Sequence, residues 1–173
     1  MIIALTGYKQ SGKTEAAKFF QKFGYQKINF KDSLIEEIKQ NFPDLLQVIG
    51  DDFTNKPPAV RALLQNYGTE VRRRDNINYW VIKWLDKVTA DMDATGRIDY
   101  VVDDCRFLNE AKAVRDLQGI IIRIIRPGFT GDKHQSEREM DNIKVDYTII
   151  ADNLKSLNKQ LSEIYARNQE TAL

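Results

Sequence analysis

Apolar residues recur along this chain with two periods. Five short β-rich runs read as strands: Ile2 to Leu5, Gln26 to Phe30, Tyr100 to Asp104, Gly119 to Ile125 and Tyr147 to Ile150. Between them the spacing turns helical. Lys13 onward places Ala16, Phe20 and Phe23 on one face, with Gly24 as the stop. Asp32 and Ser33 are candidate caps for a helix that turns Leu34, Ile35 and Ile38 inward. Pro57 and Pro58 suit the opening of a helix through Tyr67. From about Asn78, Val81, Trp84, Leu85, Val88 and Met92 mark a longer helix that Thr95-Gly96 breaks. Asn109 to Leu117 and the series Leu154, Leu157, Leu161, Ile164 complete the helical set, and the tail after Asn168 is expected to fray. Strands alternating with helices predict an α/β fold of about five parallel strands with helices on both faces.

Two stretches stand outside that alternation: the helical middle from Lys31 to Met92 and the polar run from Arg126 to Asn142, where Pro127, Gly128 and Gly131 mark loop. Both follow the carboxyl ends of strands, the edge at which open α/β sheets bind ligands. The expected organisation is a single domain with a core of 1–30, 98–125 and 145–168, a helical insertion over 31–92 and a lid over 126–142.

Charge and cysteine content narrow the setting. Over 173 residues the net charge is +1, which gives no reason to expect a strongly basic nucleic-acid binder. The single cysteine, Cys105, excludes an intrachain disulfide framework and fits a reducing compartment. Without a leader pattern or a membrane-spanning apolar run, a cytoplasmic protein is expected.

The chemistry begins at the first strand. Gly7-Tyr8-Lys9-Gln10-Ser11-Gly12-Lys13-Thr14 matches G-x-x-x-x-G-K-[ST] between a strand and a helix, the context this phosphate loop requires. Gly7 and Gly12 permit backbone angles that let successive N–H groups of the loop, Lys9, Gln10 and Ser11 included, face phosphate oxygens. The helix starting near Lys13 adds the positive end of its dipole. Lys13 is expected to bridge the β- and γ-phosphates of ATP, and the Thr14 hydroxyl to bind Mg²⁺. The fold class is therefore the three-layer P-loop NTPase sandwich. Asp103 and Asp104 end the third strand, where an acid supports Mg²⁺; they alternate in direction, so at most one of them faces the phosphates, the alternative being two solvated acids at a strand end. Arg106 and Arg126 lie at the same edge, and Arg61 and Arg73 in the helical insertion; guanidinium forks suit phosphate, with Arg61, Arg106 and Arg126 favoured, while Arg123 alternates with Ile122 and Ile124 and also reads as strand surface. In the run Arg72-Arg73-Arg74, at least one arginine is expected to be plain solvated surface. Tyr8, Phe30, Phe53, Tyr67 and Trp80 could stack on a base, although Trp80 and Trp84 also fit a core.

GYKQSGKT, R-x-L-L-Q-x-x-G-T-E-x-x-R (Arg61 to Arg73) with Trp80, D-C-R-F-x-N-E-A (Asp104 to Ala111), I-R-P-G (Ile125 to Gly128) and H-x-S-E (His134 to Glu137) occur in that order. Together they resemble the deoxynucleoside monophosphate kinases of bacteriophages, within the nucleoside monophosphate kinase group. The resemblance implies transfer of the ATP γ-phosphate to a deoxynucleoside monophosphate. It implies ATP phosphates and Mg²⁺ at Lys13 and Thr14, and Asp104 rather than Asp103 at the acidic position. The acceptor would lie on Arg61, Gln65, Thr69, Glu70, Arg73, Trp80 and Arg106, with Arg126 as a lid arginine. The D-G-x-P-R pattern of adenylate kinases is absent, so adenylate-type specificity is not implied.

Small nucleotides are the expected partners, with a homodimer left open. A monophosphate acceptor is already an oxyanion and needs no general base. A rival is a hydroxyl kinase acting on a nucleoside or on hydroxymethylated pyrimidine in DNA, for which Asp32 would be the base. In the favoured case Asp32 contacts the acceptor or caps its helix. His134 is either a lid contact to nucleotide or an exposed loop residue. A nucleotide-dependent switch is the third option; the absence of N-K-x-D and the presence of an insertion and lid argue against it.

Overall fold

The computed structural model describes residues 1–50, 52–53, 55–129 and 139–170. Its chain divides into two compact units, Met1–Asn29 with Asp91 onward, and Phe30–Ala90.

The first unit is built on β1 (Ile2–Thr6), β2 (Gln26–Lys27), β3 (Tyr100–Val102), β4 (Ile120–Ile125) and β5 (Tyr147–Ile150), all parallel, in the order β2-β3-β1-β4-β5. β1 is buried along its whole length, which is why it reads as a continuous apolar run rather than an alternating one. Its Ile3 and Leu5 pack with Ala16, Ala17 and Phe20 of α1 (Lys13–Gln21) and with Leu157, Leu161 and Ile164 of α7 (Leu154–Glu170). Ile2 and Ala4 point to the other face. There α6 (Leu108–Asp116) lies against β1 and β4, and Gly119 passes so close to Val114 that a Cβ would sit 2.7 Å from its Cγ1.

Register sets the working edge. Ala4 pairs with Val102 and Thr6 with Arg123, while Ile125 pairs with Ile150. Gly7, Asp103–Asp104, Arg126 and Ala151–Asp152 therefore leave the sheet at one end.

The second unit contains α2 (Phe30–Asn41), α3 (Pro43–Ile49), α4 (Pro58–Gln65), a π-helical segment (Asn66–Arg73) and most of α5 (Tyr79–Thr95). Ile38, Leu46, Tyr67 and Trp80 form its core, with Leu34, Phe42 and Leu63 packed against them.

Four expectations shift. The second strand ends at Lys27 instead of reaching Phe30. Ile28 N still reaches Val101 O (3.2 Å), but Asp103 N is met by the Asn29 side-chain Oδ1 at 2.9 Å, and the chain turns into α2. That helix opens at Phe30, so Asp32 lies in its first turn and Ser33 is buried within it; neither is its N-cap. The third strand stops at Val102, leaving both aspartates beyond it. The tail also keeps helix to Glu170.

Candidate active site

The phosphate loop has the geometry its glycines predict. Gly7 takes φ +142°, and a Cβ there would stand 2.3 Å from Ile124 O, so a side chain is excluded by both angle and space. Gln10 is left-handed at φ 65°, and Gly12 at φ 107° opens α1. The Lys13 ammonium turns into the loop, donating to Gly7 O at 2.5 Å and Tyr8 O at 2.6 Å. Ser11 N closes the turn onto Tyr8 O at 3.2 Å. Lys13 and Ser11 are buried, whereas Thr14 is exposed at the helix start. A cradle with a buried cation, a helix N-terminus and a Gly7 that leaves no room for a side chain suits a phosphate chain.

A cavity of about 380 Å³ adjoins this loop, walled by Gln10 to Glu15, Arg126, Ala151 to Leu154 and Leu157. Arg126 is exposed and its guanidinium lies 4.4 Å from the Phe129 ring centroid. The Ala151-Asp152-Asn153 turn is the part of the wall that sequence reasoning missed. Its signal was positional, since it follows the last strand at the same edge as the loop; Asn153 Oδ1 then takes Ser156 N at 2.9 Å, shaping the entry to α7.

The two aspartates are separated by environment. Asp103 is buried, and its carboxylate receives Lys27 Nζ; Asp104 is half-exposed. Asp103 is thus neutralised inside the sheet edge, which distinguishes it from Asp104.

Arg106 owes its setting to Glu110. The buried Glu110 carboxylate accepts Arg106 N at 2.8 Å and Phe107 N at 3.1 Å, which caps α6 and fixes the turn from β3. The spacing in D-C-R-F-x-N-E has this physical meaning. Cys105, inside the turn, is fully buried; burial, then the Glu110 and Asp104 carboxylates, push its thiol well up. Arg123 is a structural arginine: its Nη2 donates to Met140 O at 2.8 Å and Ile143 O at 2.9 Å.

In the second unit, Arg61 lies on α4 and is half-buried, and Gln65 ends that helix, exposed. Thr69, Glu70 and Arg73 lie on the π-helical segment, half-buried, exposed and half-buried in turn. Trp80 is only 2% exposed and donates Nε1–H to Gly68 O at 2.9 Å. Its place is in the core beneath the G-T-E turn, not on an open base-binding surface. Phe30 and Tyr67 are likewise buried. His134, Ser136 and Glu137, and most of the expected lid, lie outside the described residues.

A parallel sheet whose first strand runs through such a loop into a buried helix is the P-loop kinase fold. Dephospho-CoA kinase from Campylobacter jejuni superposes with a TM-score of 0.57 at 13% identity, covering 99% of this chain and 98% of that one. TT1252 from Thermus thermophilus gives 0.57 at 15%, covering 96% and 97%. A family model described as deoxynucleotide monophosphate kinase matches residues 45–164. A protein of Acanthamoeba polyphaga mimivirus, provisionally named a deoxynucleotide monophosphate kinase, is 31% identical over 188 residues, 95% of this chain and 94% of the relative. This chain belongs to the deoxynucleotide monophosphate kinase family and is a nucleotide kinase, a phosphotransferase.

Proposed function

We propose that the protein transfers the γ-phosphate of Mg·ATP to a deoxynucleoside monophosphate, giving the diphosphate and ADP. One observation carries the reading: the buried Lys13 in a loop whose Gly7 leaves no room for a side chain, beside a cavity walled by Arg126, in a chain of this family. The loop N–H groups and Lys13 bind the donor phosphates, and the cavity takes the rest of the donor nucleotide. Thr14 and Asp104 hold Mg²⁺, which when bound supplies charge neutralisation between the donor oxygens. Arg106 and Arg126 counter the charge that spreads over the transferred group. Arg61, Gln65, Thr69, Glu70 and Arg73 bind the acceptor, with Asp32 in the first turn of the neighbouring helix α2. The acceptor oxygen carries its own charge, so positioning and electrostatics suffice without a base.

A coupled ADP-release assay across the common ribo- and deoxynucleoside monophosphates tests this, with nucleosides and hydroxymethylated DNA as controls. Turnover confined to monophosphates, lowered roughly 10³-fold by Lys13→Ala, is expected. Turnover only with a hydroxyl acceptor, or with none, would sink the proposal.

A further inference from the structure

The three consecutive arginines of the second unit have three different surroundings. Arg74 is exposed, 3.5 Å from the carboxylate of its neighbour Asp75. Arg73 is half-exposed and reaches back to Ile77 O at 3.4 Å. Arg72 turns inward. Its guanidinium lies over the rings of Tyr67 and Tyr79, 5.2 and 5.1 Å from their centroids, and pairs with Glu37 Oε1.

Glu37 gathers these groups. Its side chain is 14% exposed. Oε1 also accepts the Tyr67 hydroxyl at 2.6 Å, and Oε2 accepts the Tyr79 hydroxyl at 2.8 Å. Asn41 Nδ2 completes the set by donating to the Tyr67 oxygen at 3.2 Å. One carboxylate on α2 thereby ties both ends of the π-helical turn and the start of α5. A partly buried ion pair is a weak way to hold helices together, since desolvation offsets much of what is gained by bringing the charges together. What it adds is a defined geometry, and the residues it brackets are Gly68, Thr69, Glu70 and Val71. Inside that bracket the Trp80 indole holds Gly68 O, and Gly68 is pressed so near Leu34 that a Cβ would stand 3.0 Å from Leu34 Cδ2. Short π-helical stretches persist where surrounding contacts enforce them, often at functional sites.

We propose that Glu37 is a positioning residue for the acceptor nucleotide: by holding Tyr67, Arg72 and Tyr79 together it fixes the π-helical turn that presents Thr69, Glu70 and Arg73. Arg72 is then a strut rather than a phosphate ligand, and Arg73 is the arginine of the run that meets the acceptor. This rests on the monophosphate-kinase reading above.

The test is steady-state kinetics and calorimetric binding of deoxynucleoside monophosphates to Glu37→Gln, Tyr79→Phe, Glu37→Ala and the Glu37→Ala/Tyr67→Phe double variant. Losing the charge-assisted contact in Glu37→Gln raises the acceptor KM and Kd about tenfold, while the ATP KM stays within about twofold because the donor loop is untouched. Tyr67→Phe adds little on top of Glu37→Ala, as expected for members of one network. Should Glu37→Ala fail to fold, the Gln and Phe variants, each a milder deletion, still decide. An unchanged acceptor KM, or a parallel rise in both KM values, overturns the inference while leaving the kinase reading intact. A wild-type protein that turns over no monophosphate removes both.

Discussion

The phenol of Tyr8, inside the phosphate loop, donates to both carboxylate oxygens of Asp141, at 2.8 and 2.9 Å, across 133 residues of chain. The same tyrosine offers its backbone carbonyl to Lys13. Asp141 in turn sits in the segment whose carbonyls Arg123 holds. A side chain that looks in sequence like a candidate base stacker is thus a tether for the loop. Tyr8→Phe removes the tether while keeping the ring. Being exposed, the contact is worth about 1 kcal/mol or less, so the ATP KM should rise about two- to fivefold with acceptor KM unchanged, as read in initial-rate kinetics.

Lys13→Ala should leave the fold intact by circular dichroism and lower kcat by roughly 10³-fold, in the range seen when a preorganised charge on the transferred group is removed. Gly7→Ala should behave differently. The added methyl meets Ile124 O in a left-handed backbone. Both melting temperature and ATP binding should fall, measured by thermal denaturation and calorimetry.

Glu110→Ala strips acceptors from two backbone N–H groups at a buried turn. We expect a loss of about 1–3 kcal/mol in denaturant unfolding and a drop in kcat, because Arg106 leaves its setting although its own side chain is unchanged.

Asp32→Ala separates the two acceptor chemistries. In a monophosphate kinase it should raise the acceptor KM with turnover retained; abolished turnover with ATP affinity intact would indicate a base and a hydroxyl acceptor. Isothermal titration and the ADP-release assay read the two quantities separately.

Stability should also depend on acid through Glu37. Burial pushes its carboxyl up, but hydrogen bonds from Tyr67 and Tyr79 and the Arg72 guanidinium outweigh burial and hold it below the usual glutamate range. A depressed folded value stabilises the protein above the unfolded value of about 4.3, and that contribution is lost as pH falls through the folded value. The melting-temperature gap between wild type and Glu37→Gln should therefore be widest near neutrality and close in acid. A gap independent of pH would contradict it.

What could be read from the sequence follows a physical divide. The phosphate loop is local: seven consecutive backbone positions determine it, so Gly7, Gly12 and Lys13 are legible as letters. β1 and β3 are nearly as legible, because strands buried on both faces are apolar throughout. The edges are less so. Nothing in Gln26 to Phe30 announces that Asn29 will spend its side chain on Asp103 N and end the strand. Asp103 looks equivalent to Asp104 until Lys27, distant in sequence, neutralises it. The Glu37 cluster joins residues 30, 35 and 42 positions apart. Its tyrosines and arginine fit an ordinary helix pattern equally well, and local propensity carries no mark of a π-helical turn.

That turn has a consequence for how the gene can vary. Each residue advances an α-helix by about 100°, and a π-helical turn accommodates an extra residue without extending the ladder. Deleting one position between Asn66 and Arg73 would let the segment relax to α geometry, so the flanking helices keep their places but Tyr67 and Arg72 no longer meet Glu37 at their present spacing. A one-residue deletion in Asn66–Arg73 should therefore cost acceptor binding far more than folding, which a deletion scan read by both melting temperature and acceptor Kd would separate.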